Sequence, residues 1–208
     1  PQELLSYMEY ITNINRERNK KIIAQARELN TLLLANNITP IFLKGTGNLM
    51  AGLYEDVAER MVGDIDFLFS KEDYSNAIKI LRNSGYLENP KMEYYNRRSD
   101  LIHFRRLQKE NNIAAIEIHK ELLKEKYTNE FNYNLVEKDS QVINGITVMS
   151  YVNKLNLSII ANQINDFGFY YKTMHLRNAY DVFLLSKKTN AKYAMIKLDK
   201  LSHPLNCF

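Results

Sequence analysis

Apolar positions along the chain keep two periods, and these divide it into elements. Leu4, Leu5, Met8 and Ile11 recur at helical spacing, and Ile22, Ile23, Ala26, Leu29, Leu32 and Leu33 continue the stripe. Residues 3–36 are therefore predicted as one long bent helix or two in succession. The polar stretch from Asn13 to Lys21 carries Arg16, Arg18, Lys20 and Lys21 and reads as a solvated face. Asn36-Asn37 ends the helix, and Thr39-Pro40 forces extended backbone. Ile41-Phe42-Leu43-Lys44 reads as a short buried strand running into a glycine turn, Gly45-Thr46-Gly47, with a helical turn restarting at Asn48.

Residues 54–63 are expected to form a loop or short helix ahead of a second apolar run, Asp64-Ile65-Asp66-Phe67-Leu68-Phe69. Ser70 followed by Glu72 and Asp73 predicts a capped helix with Tyr74, Ala77, Ile78 and Leu81 on its face, closed at Ser84-Gly85. Asn89-Pro90 marks a turn. Residues 101–105 and 113–119 alternate like paired strands, joined by a turn over 109–112. Residues 120–127 suggest a short helix, and residues 142–148 a hairpin about Asn144-Gly145. From Ser150 onward the period is helical throughout, in runs led by Val152, Met174 and Tyr193. The shift near residue 150 predicts an α+β organisation: a mixed part over 1–149 and a helical part over 150–208.

Composition narrows the class. A chain of 208 residues, 45% apolar and 25% charged, can bury a real core. No run approaches the 18 or more apolar residues of a membrane span, and no secretory signal is read at the start. Pro1 in place of methionine points to a trimmed start. The single cysteine, Cys207, leaves no internal disulfide and suits a reducing cytoplasm. A net charge of +4 is compatible with nucleotide or RNA partners, but the basic residues are scattered rather than blocked.

The acidic pair is the sharpest chemical signal. On a strand, Asp64 and Asp66 point to one face while Ile65 and Phe67 point to the other. Two like charges so close on a half-buried strand call for a shared cation. Hard divalent ions answer that need, because Mg²⁺ takes carboxylate oxygens and leaves positions for substrate phosphates. Glu117 and His119 share a face on the later strand, opposite Ile116 and Ile118. Strand, glycine turn and helix start at Lys44-Gly45-Thr46 aim N–H groups at an anion.

Taken together, these residues resemble the polymerase-beta-like nucleotidyltransferase superfamily, whose pattern is strand, Gly-Gly/Ser, helix, Asp-x-Asp and a third carboxylate on a later strand. The segments LKGTGNLMAGLYEDVAERMVGDIDFLF, IEIH and HLRNAYDVFLL look like its group of uncharacterised nucleotidyltransferases. Thr46 departs from the commoner Gly or Ser. The resemblance implies that Asp64, Asp66 and Glu117 hold two Mg²⁺ ions, with Glu117 also accepting a proton. It implies nucleotide binding by Lys44, Gly45 and Thr46, with a nucleoside triphosphate such as ATP as donor.

Several residues keep two readings. Arg60 either pairs with the acidic cluster or meets a phosphate. Arg177 either grips nucleotide or pairs with Asp181 four residues on. His103 and His119 either face the site or are hydrogen-bonded strand residues, and His175 is unassigned. The acceptor is a hydroxyl on a small molecule, a cationic one drawing on Glu55, Asp56 and Glu59. Alternatively a toxin-like enzyme modifies RNA or protein through a groove of Arg97, Arg98, Arg105, Arg106 and Lys109. A non-catalytic nucleotide-binding module is the third reading.

Overall fold

A computed structural model describes residues 2–88, 102–124 and 127–199. The Asn89-Pro90 turn, Arg97, Arg98 and Cys207 lie outside the described residues. Helix α1 is one unbroken helix, Gln2–Leu34. Its buried residues start only at Asn19, so the stripe begun by Leu4, Leu5 and Met8 is helical but faces outward. The polar middle is less solvated than its composition implies. Arg16 pairs with Asp56 at 2.6 Å, Arg18 donates to the Val62 carbonyl, and buried Asn19 donates to the carbonyls of Val57 and Arg60 at 2.6 and 2.7 Å. These side chains hold the irregular segment that leads to the acidic strand.

Strand β1 is only Ile41–Phe42, and helix α2, Lys44–Met50, starts almost at once. The expected glycine turn is therefore the first turn of a helix. The reversal is made at Lys44, with φ +47°, and by close packing. A Cβ on Gly47 would lie 2.6 Å from the Phe42 carbonyl oxygen, a contact only glycine permits. Strand β2, Asp64–Leu68, follows, then helix α3, Lys71–Asn83, whose Ser70 cap accepts from the Asp73 N–H at 3.0 Å. Ala77, Ile78 and Leu81 form its buried face, as the spacing predicts.

Strands β3 (Leu87–Glu88), β4 (Leu107–Gln108) and β5 (Ala115–His119) come next. Residue 101 of the strand predicted over 101–105 lies outside the described residues; the described remainder keeps a single bridge between His103 and His119, and β4 carries the ladder instead. Of the helix predicted over 120–127, residues 120–124 form none, Tyr127 lies in a 3₁₀ turn, and 125–126 are outside the described residues. Leu122 and Leu123 are instead buried in irregular chain. After helix α4 (Tyr133–Lys138), strands β6 (Gln141–Ile143) and β7 (Ile146–Val148) close a hairpin. Asn144 and Gly145, both at positive φ, make its two-residue turn.

The described strands form one mixed sheet in the order β3-β4-β5-β2-β1-β7-β6, so the fold is α+β. Described structure beyond residue 150 is helical: α5 (Tyr151–Ile164), α6 (Gly168–Tyr171), α7 (Leu176–Lys188) and α8 (Ala191–Asp199). One apolar cluster joins Ile22, Leu29 and Leu81 to Ile65, Phe67 and Ile118, so α1 and α3 cover one face of the sheet. Another joins Leu68 to Leu157, Ile160 and Ile164, so α5 covers the opposite face. Alternation then places Asp64, Asp66 and Glu117 on the α5 side. Among the described residues, no helix is long and apolar enough to cross a membrane.

Candidate active site

The site follows from strand register. Strands β2 and β5 run parallel with Asp66 opposite Glu117 and Leu68 opposite His119. Strand β5 lies inside the sheet, between β4 and β2, so Glu117 is not the solvated edge residue that alternation alone allows. Asp66, Glu117 and His119 are 2%, 8% and 3% exposed. His119 Nε2 lies 2.9 Å from Asp66 Oδ1 and 3.8 Å from Glu117 Oε2. His103 Nε2 stands 3.7 Å from the same Glu117 oxygen, its ring centroid 5.1 Å from that of His119.

Two cations balance the carboxylates. Lys44 Nζ donates to Asp66 Oδ1 at 2.6 Å and lies 3.8 Å from Glu117. Arg106 bridges the other side, 2.7 Å from Asp64 Oδ2 and 2.6 Å from Glu117 Oε1. Pairing of Leu107 with Ile116 puts Arg106 directly across the ladder from Glu117. That antiparallel alignment is the signal by which Arg106 is readable as a site residue rather than part of a basic groove.

Electrostatics separate the two aspartates. Burial, reinforced by the charges of Asp66 and Glu117, pushes the Asp64 carboxyl up to about 6 against the pull of Lys44 and Arg106. Burial works the same way on Asp66, but Lys44 and the His119 hydrogen bond override it and hold that carboxyl well below its ordinary range. Burial and the Lys44 charge lower His119, which keeps the imidazole neutral and suited to donate a lone pair. Asp66, Glu117 and His119 each bring one possible ligand atom within 4.8 Å of the other two, a donor set that fits a divalent ion. Asp64 is beside that set, with an oxygen committed to Arg106.

The cluster opens into a cavity of about 880 Å³ between the sheet and the C-terminal helices. Lys44, Gly45 and Arg60 line it near the carboxylates, and His175, the N-cap of α7, and Arg177 within that helix line it from the helical part. Thr46 does not reach it. That residue is fully buried and its hydroxyl donates to the Asp64 carbonyl at 2.6 Å, so it braces the start of β2.

Arg60 does not pair with the acidic cluster; its Nη1 donates to the adjoining Met61 carbonyl, and the rest of the guanidinium turns to α7. Its Nε donates to both carboxylate oxygens of Asp181 on α7, at 3.1 and 3.2 Å, and the Tyr54 hydroxyl donates to the same carboxylate at 2.7 Å. The intrahelical Arg177–Asp181 bridge expected from spacing is thus replaced by a link between α7 and the loop before β2. Of the other basic candidates, Arg105 pairs with Glu88 and Lys109 lies over the Tyr86 ring. Among the acidic ones, Asp56 is held by Arg16 and Glu59 accepts from Tyr180.

Three acidic side chains on adjacent strands, above a cavity roofed by helices, define a class of site suited to phosphate chemistry. The chain belongs to the family of uncharacterised nucleotidyltransferases, whose model matches residues 1–208. The family's name indicates a transferase that uses a nucleoside triphosphate. No curated protein and no solved structure matches the chain.

Proposed function

We propose that this protein is a Mg²⁺-dependent nucleotidyltransferase that moves a nucleoside monophosphate, from ATP or another nucleoside triphosphate, to an acceptor hydroxyl. The observation that carries this reading is the register pairing of Asp66 with Glu117, two buried carboxylates side by side with His119 at the mouth of a nucleotide-sized cavity. Asp66, Glu117 and His119 would hold one ion, and Asp64 with Asp66 a second. When bound, the ions supply Lewis-acid charge to the phosphoryl group and to the acceptor hydroxyl.

The chain's own residues do the rest. Lys44 and Arg106 balance the charge of the carboxylates, and Lys44, which lines the cavity, also faces the phosphates. Gly45 borders the triphosphate at the first turn of α2. Arg177 reaches the nucleotide from the helical part, while Arg60 fixes that part in place through Asp181. The acceptor oxygen attacks the α-phosphorus, the bond to the bridging oxygen breaks, pyrophosphate leaves and the hydroxyl proton passes to Glu117. In this reading residues 1–149 carry the chemistry and residues 150–208 grip the substrate. Arg105 and Arg106 are committed to carboxylates, which favours a small-molecule acceptor over RNA. A single cysteine suits the cytoplasm.

The test is to incubate the protein with each α-labelled nucleoside triphosphate, Mg²⁺ and fractionated cell extract. Label should pass to a small-molecule fraction with wild type and not with Asp66→Asn. Equal labelling by the two proteins would remove the metal assignment.

A further inference from the structure

Helix α5 turns a polar stripe toward the carboxylates. Lys154, Ser158, Asn162 and Asn165 recur at three- and four-residue steps and line the cavity. Lys154 is the outlier among them. The residue is only 4% exposed, and its Nζ has no hydrogen-bond partner among the described residues. The Tyr151 ring lies 5.4 Å away, a face that attracts a cation without accepting its protons. An ammonium buried without an acceptor is costly, and burial pushes this one down to about 8.

The carboxylates that share the cavity are already engaged. Asp66 is taken by Lys44, Asp64 and Glu117 by Arg106, and Asp181 by Arg60 and Tyr54. Asp166 lies in the field of Lys124, whose Nζ also donates to the Asn165 carbonyl. An anion entering through the cavity is then the natural partner for Lys154. A compact ammonium with three rotatable donors suits a tetrahedral phosphate, which presents oxygens in every direction.

We propose that Lys154 is an anion subsite for the polyphosphate tail of the nucleotide, reaching the β- or γ-phosphate from helix α5 while the strand carboxylates manage the α-phosphate. The inference rests on the nucleotidyl-transfer reading and assigns the far end of that substrate. The helical part thereby takes part in binding the donor and does not merely wall the cavity.

Inorganic tripolyphosphate is the probe, titrated by calorimetry into wild type, Lys154→Met and Lys154→Arg at pH 7.5 without divalent ion. Lys154→Met should weaken binding at least about tenfold, and Lys154→Arg should stay within about threefold of wild type. Met fills the same space without the charge, so that variant should unfold at or above the wild-type temperature, which separates lost binding from lost fold. Equal affinity in wild type and Lys154→Met, or no binding by wild type at millimolar probe, would overturn the subsite. Nucleotide transfer is scored separately. Loss of tripolyphosphate affinity in Lys154→Met, with no label transferred by wild type, upholds the anion subsite and removes only the enzyme reading. Unchanged KM for the nucleotide in an active Lys154→Met protein removes the subsite and leaves the enzyme reading standing.

Discussion

Asp66 and Glu117 are direct partners across two parallel strands, and one step of slippage would turn Glu117 to the opposite face of the sheet. The pair is fixed by the ladder, not by flexible side chains finding each other. Replacing Asp66 by Asn keeps shape and register but removes the charge that a metal ion needs. Transfer should fall by at least about two orders of magnitude, measured as initial rate of label incorporation, with the circular dichroism spectrum unchanged.

Arg106 stands between Asp64 and Glu117 as their counter-charge. In Arg106→Met those carboxylates lose their shared partner and face Asp66 with Lys44 as the remaining cation among the described residues. The variant should lose about 1–2 kcal/mol, a figure reduced from that of a fully buried pair because the Arg106 side chain is 38% exposed. Millimolar Mg²⁺ should restore part of the loss, read from urea unfolding with and without the ion. A loss that Mg²⁺ leaves untouched would show that the ion does not take up the charge Arg106 balances.

Arg60 and Asp181 tie the loop before β2 to helix α7, with side chains only 12% and 5% exposed. Asp181→Ala leaves Arg60 buried without its acceptor and should cost about 3 kcal/mol. Amides of α7 should exchange faster than those of β2 and β5, since the break lies at the helical wall. The double variant Arg60→Met with Asp181→Leu should recover much of the stability, because neither charge is then stranded.

Lys154 sets a pH dependence of its own. Its amine falls from an ordinary 10.5 to about 8 in the folded chain, so folding favours the neutral form. The stability this contributes is present above the unfolded value and lost as pH falls through about 8. At pH 7 the cost is on the order of 3 kcal/mol. Lys154→Met should therefore be more stable than wild type at pH 7, with the gap closing toward pH 10.5. A gap that stays constant across that window would mean the amine is not desolvated.

Local pattern and long-range pairing divide what was readable. The Ser70 cap with its apolar face, the Asn144-Gly145 hairpin and the helical run after Ser150 each depend on neighbours within a few residues, so the chain declares them directly. Alternation likewise put Asp64 with Asp66, and Glu117 with His119, on single faces. The predicted glycine turn missed because the Gly47 contact that lets α2 start early lies against the strand just left, a packing fact rather than a propensity. Leu4, Leu5 and Met8 have the period of a buried helix, yet periodicity does not say what lies opposite.

By itself, then, the sequence determined the α+β class, the faces of the acidic strands and the family. Only the tertiary structure decided that β5 lies beside β2, that Arg106 rather than Arg60 meets the carboxylates, that Asp181 turns to Arg60, and that Lys154 is buried without a hydrogen-bond partner among the described residues. The reason is physical. A side chain's face is set by its own backbone, whereas its partner is chosen by strands and helices that meet across tens of residues of chain.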